Sequence, residues 1–205
     1  MKRMLLLAVA SVTGIFVNAQ LLTWSPAFPK ENDPSQTLVI TMNATRGNQS
    51  LLNYSTASDV YVHIGVITTA SASATDWKHV PFTWGTTSAA ANASSAGANK
   101  WQYSITGSLR TFFNITDPNE TILKIAILFR NGNGSKKQAN ADNSDMYVPV
   151  YSSNSLAIQI YRPAKQPTYF PVAEPQNWTV GTVFQFGAIV NKSATVKFYN
   201  NGNLL

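Results

Sequence analysis

Two histidines, nine carboxylates and not one cysteine make up the reactive side chains of these 205 residues. That stock excludes a thiolate nucleophile and a histidine-rich zinc site. The acids are Glu31, Asp33, Asp59, Asp76, Asp117, Glu120, Asp142, Asp145 and Glu174. Glycoside hydrolysis needs a carboxylic acid and a carboxylate facing each other across a cleft. The scatter of these acids over short polar stretches predicts turn and cap residues instead. "DNSD" (142–145) offers oxygen ligands but lacks the spacing of a calcium loop, so it is expected to be a turn and no cofactor is expected. There is no Gly-x-Ser-x-Gly and no glycine-rich phosphate loop. These residues are expected to hold no catalytic centre.

The side chains left with something to do are aromatic. "DVYVHIGVIT" (59–68) alternates as a strand, with Val60, Val62, Ile64 and Val66 toward a core and Asp59, Tyr61 and His63 on the other face. Of five tryptophans, Trp101 alternates with Tyr103 and Ile105 and reads as core. Trp24 lies among prolines at an edge, and Trp178 follows a proline-rich stretch. Trp77 and Trp84 stand in a long polar segment, where an indole either tucks back as a plug or meets a partner. Carbohydrate suits such a surface. The C–H face of a pyranose stacks on an aromatic ring, and its hydroxyl rim takes hydrogen bonds from imidazole, amide or guanidinium groups. His63 and Tyr61 with Trp77 above them would form the platform, and Arg130, Lys137, Gln138 and Asn140 the rim.

The elements that must position these residues are short strands. "TLVITMNA" (37–44), "DVYVHIGVI", "KWQYSI" (100–105), "TILKIAILFR" (121–130), "DMYVPVY" (145–151) and "SLAIQIY" (155–161) alternate or are apolar throughout, and turn residues separate them. Asn131-Gly132 marks a tight turn. This pattern predicts an all-β chain: an antiparallel, immunoglobulin-like β-sandwich over 20–161. The segment 68–100 is expected to be a long functional loop, although "SAAANASSAG" is also compatible with a short helix. Four prolines make 162–178 a junction. Beyond it, 179–205 alternates again through an Asn201-Gly202 turn. Two or three strands bury no core of their own, so this part is expected to be the start of a second, truncated sandwich.

Residues 1–19 read as a cleaved secretory signal peptide: cationic "MKR", an apolar stretch too short to span a bilayer, and "VNA" before Gln20. The protein is therefore expected to be secreted or displayed at the cell surface. Without Lys2 and Arg3 there are 13 basic and 9 acidic residues, a mature charge of +4 with no stripe of the kind that binds nucleic acid. Nine Asn-x-Ser/Thr triplets, among them Asn43, Asn114 and Asn177, are expected by chance in a chain so rich in these residues, with glycosylation the alternative.

The run "VYVHIG", then "DWKHV", "KWQYSI" and "ILKIAILFRNGNGSKKQANADNSDMYVPV", resembles the starch-binding modules of carbohydrate-binding family 25. "TWSPAFPKENDPSQTLVITMNATRGNQSLLNYSTASDVYVHIGVIT" is similar to the N-terminal domains of secreted alpha-amylase-like proteins of the Bacteroidetes. The resemblance implies a module that binds α-glucan polysaccharide, with His63 and Trp77 at ligand-contacting positions. It also implies an Ig-like domain next and a glycoside hydrolase domain further along the parent chain. The family's second stacking tryptophan falls near Lys137–Gln138, where this chain has none. Either Trp84 or Tyr61 takes its place, or the domain is structural. A spacer and a surface adhesin are the other two readings.

Overall fold

The computed structural model describes residues 20–152, 154–162, 181, 183 and 185–205. The expected signal peptide and the junction beyond Arg162 lie outside the described residues.

The described residues are almost all β, with antiparallel strand pairs, and residues 20–152 form two facing sheets. One sheet has the order β1 (Leu22–Ser25), β2 (Thr37–Asn43), β5 (Lys100–Thr106), β4 (Ser94–Ser95). The other is centred on β6 (Ile122–Asn131). β3 (Val60–Thr68) pairs along one edge of β6. On the other edge β8 (Met146–Pro149) pairs with its first half and β7 (Lys137–Gln138) with its second. The only helix among the described residues is α1 (Leu109–Phe112), together with a 3-10 turn at Ala89–Ala91. Trp24 sits within β1, one strand earlier than the alternation suggests, because β1 is too short to show a period.

Period-2 alternation decides what is buried. Leu38, Ile40 and Met42 from β2 and Trp101, Tyr103 and Ile105 from β5 face Val60, Val62, Ile64 and Val66 of β3. Ile125, Ile127 and Phe129 of β6 complete the facing side of one core. The β3–β6 register places Val62 opposite Phe129 and Ile64 opposite Ile127, so both strands turn the same parity inward. Consequently Tyr61 opposite Arg130, His63 opposite Leu128, Gly65 opposite Ala126 and Ile67 opposite Lys124 form the outer face.

The long loop is laid over that outer face. Lys78 exchanges two backbone hydrogen bonds with Val66, at 2.8 and 3.0 Å. The Tyr147 hydroxyl donates to the Ala74 carbonyl at 2.9 Å. Ile67, Ala126 and Tyr147 form a second, smaller apolar cluster with Trp77 packed on it. Gly65 explains how the loop comes so close. A β-carbon there would stand 2.8 Å from the Val80 side chain, 3.0 Å from the Lys78 carbonyl and 3.3 Å from the Trp77 ring.

The tight turn expected after β6 is present: the Gly134 N–H donates to the Asn131 carbonyl at 3.0 Å, inside a wider loop that the Asn131 N–H closes on the Lys136 carbonyl, and Gly134 is left-handed at φ +74°. Asn131 is held in the ladder by its own side chain, which accepts from Lys136 N and donates to Ser135 Oγ. The strand read at 155–161 is β9 (Ile158–Arg162). It pairs with β10 (Gly187–Val190) rather than with either sheet of the sandwich. Gln159 reaches back, donating to the Ala27 carbonyl and the Tyr151 hydroxyl. The expected hairpin at Asn201-Gly202 is present, joining β11 (Tyr199–Asn200) to β12 (Asn203–Leu204) with positive φ at both turn residues.

Candidate functional site

Five of the eight candidate residues meet on the outer face. His63 lies between two indoles. Trp77 is stacked on it at 5.5 Å between centroids with 23° between planes, and Trp84 stands edge-on at 5.1 Å and 84°. Tyr61 is next along β3, and the Arg130 guanidinium carbon stands over its ring at 5.5 Å and over the Trp84 ring at 5.6 Å.

The two tryptophans arrive by different local devices. Trp77 follows a turn in which Asp76 accepts from Ala72 N–H and pairs with Lys78 at 3.0 Å. Its ring crosses Gly65, and its Nε1–H donates to the Asp145 carboxylate at 3.0 Å. Asp145 is aimed by its own turn. Asp142 accepts from the Ser144 N–H and hydroxyl, and Asn140 donates to Ser144 Oγ and the Asp145 carbonyl. Those bonds to Ser144 also hold the Asp142 carboxyl below the usual carboxylate range. Trp84 occupies the tip of a Thr83–Thr86 turn closed by Thr86 N–H and Oγ1 on the Thr83 carbonyl. Gly85 supplies the left-handed third position at φ +74°. The indole leans on the opposite turn so closely that a β-carbon on Gly134 would fall 2.5 Å from Trp84 Nε1. Even so, Trp84 remains 40% exposed.

The rim residues lie elsewhere than the sequence suggests. Arg130 is fully buried, and Nη1 and Nη2 donate to the carbonyls of Asn131, Gly132 and Thr86. Gln138 is fully buried as well, accepting from Leu51 N–H and donating to the Arg46 carbonyl, so it fastens the 45–51 loop. Asn140 is spent on the turn that aims Asp145. Lys137 is partly exposed, and its ammonium donates to the Asn143 carbonyl at 3.3 Å. Strand parity and turn residues marked these positions as polar, but only the register showed that β7 is covered by the 45–51 loop. Asp145 and Gly134 carry the two indoles and looked from sequence like ordinary turn residues. A signal existed in the glycine-dense "NGNGS" run, where a close approach was to be expected.

The electrostatics favour the uncharged form of His63 beside the Arg130 cation. Burial first, and then the Arg130 charge, push the His63 imidazole below its ordinary value, against weaker pulls from Asp145 and the Phe82 backbone. The second histidine, His79, is within 3.0 Å of the Glu120 carboxylate, whose other donor is the Thr68 hydroxyl at 2.6 Å. Thr68 first and His79 next hold the Glu120 carboxyl below its usual range. This pair tethers the loop just after Trp77. Among the described residues no three His, Asp or Glu side chains gather as metal ligands would.

The arrangement can offer a half-open aromatic ring on a rigid mount, bordered by the exposed polar residues Asn133, Ser135 and Lys136. The chain matches no protein-family model, and no curated protein is significantly similar to it.

Proposed function

We propose that this chain is a non-catalytic carbohydrate-binding module of the α-glucan class, exported through its N-terminal signal as an accessory part of a secreted glycoside hydrolase. The observation that carries the reading is Trp84, a large aromatic held 40% open at the tip of a turn, with its position set from below and from the side. A sugar ring stacks on such a face, and the amide, hydroxyl and ammonium groups of Asn133, Ser135 and Lys136 at its border suit its hydroxyls. One open indole supports modest affinity, since each hydroxyl gives up water on binding. β9 leaves Ile158 and Ile160 exposed, an apolar face that suits packing against a further element.

Affinity electrophoresis through amylopectin tests this: the wild-type protein is retarded and Trp84→Ala is not. Unretarded wild-type protein sinks the proposal. A second reading, a spacer or adhesion domain without sugar binding, draws on Trp77, which is half-covered and hydrogen-bonded inward. That reading expects Trp84 to be quenched by acrylamide without any protection on adding maltoheptaose.

A further inference from the structure

Beneath the open indole lies a buried charge without a carboxylate on it. Arg130 is in none of the ion pairs found among the described residues. It is bonded to three backbone carbonyls and flanked by two aromatic rings. Those contacts come from three separate stretches of chain. Thr86 and Trp84 belong to the long loop, Asn131 to the end of β6 and Gly132 to the turn after it, and Tyr61 to β3. One planar fork therefore joins everything that surrounds Trp84.

This joint is costly. Burying an unpaired cation is unfavourable, and an apolar side chain of the same volume is often as stable or more so. Only two buried side-chain polar atoms among the described residues lack a hydrogen-bond partner, Arg130 Nε and His63 Nδ1. Both belong to side chains packed against Trp84. Buried polar atoms are nearly always satisfied, so two exceptions around one ring mark a place where stability has been given up.

We propose that Arg130 is the positioning residue of the aromatic platform. It does not touch the ligand. It fixes the Trp84 ring by presenting its guanidinium to the inner face of the indole while locking the two turns on either side through their carbonyls. This rests on the carbohydrate-binding reading and deepens it. The platform's shape is set by an internal cation, and the ligand meets only the outer face of Trp84. Lysine cannot replace it, because an ammonium has neither the planar fork nor the flat face.

The test uses protein labelled with 5-fluorotryptophan, the Trp84 resonance being assigned through Trp84→Phe. In Arg130→Lys and Arg130→Met the Trp84 fluorine signal moves toward the solvent-exposed position, while those of Trp77 and Trp101 stay. Affinity for maltoheptaose falls at least about tenfold, with a thermal midpoint close to wild type in Arg130→Met. A Trp84 signal unmoved in both variants overturns the proposal. So does a displaced Trp84 with wild-type affinity. If Arg130→Met does not fold, Arg130→Lys carries the same two readouts. Wild-type protein that binds no glucan sinks the carbohydrate reading alone, and the fluorine shift still decides whether Arg130 holds Trp84.

Discussion

Trp77 and Trp84 are seven residues apart in one loop and flank the same histidine, yet they are built for opposite ends. Trp77 is drawn in from every side, with a glycine beneath it, His63 stacked on it, and a carboxylate on its N–H. Its loop segment is further tied down by the Lys78–Val66 bonds and the His79–Glu120 pair. Trp84 is supported from below and beside by Arg130, His63 and Gly134, and its outer part is left to solvent. An indole that closes a structure has its polar atom satisfied inside. One that presents a surface is steadied without being covered.

Replacing each ring separately is the sharpest way to break that comparison. Trp77→Ala is expected to cost about 3 kcal/mol in urea unfolding, at the lower end for a large aromatic because the ring is half-buried. Gly65→Ala follows at about 2 kcal/mol, since a methyl group has no room beneath Trp77 and the Lys78 carbonyl cannot yield cheaply. Asp145→Ala removes the charged acceptor of the Trp77 N–H and is expected to cost about 1 kcal/mol, with a red shift of Trp77 emission. Trp84→Ala is expected to change stability by less than about 1 kcal/mol while abolishing retardation in amylopectin. If it costs as much as Trp77→Ala, the two rings do the same job and the distinction is lost.

The smallest effect is a pH dependence at the centre of the cluster. The folded-state pKa of His63 lies below its unfolded value, near 6.5. Its contribution is therefore fully present above that unfolded value. Stability is lost as pH falls from about 6.5 through the folded pKa, when a second cation must form beside Arg130. Urea titrations at pH 7.5 and pH 5.5 should show this loss, and a smaller one in His63→Gln. An equal pH slope in both proteins would show that the imidazole is indifferent to its neighbours.

Much of this was legible before any fold was known. Alternation in 37–44, 59–68 and 100–105 marks strands and core because period 2 is a local property of the backbone. The same parity places Tyr61 and His63 opposite Val60 and Val62 without knowledge of their partners. The long segment 68–100 announces itself by composition.

What only the tertiary structure decided is which polar side chains are spent. Arg130, Gln138 and Asn140 read as a hydrogen-bonding rim, and the fold uses all three inside: one beneath an indole, one fastening a distant loop, one bracing the turn that aims Asp145. β9 likewise looks like any other strand, and its partner is a strand from beyond the junction. The reason is common to both. Alternation reports the side of a strand on which a residue lies, whereas the loop that covers that side, and the strand that lies alongside, are set by segments tens of residues away.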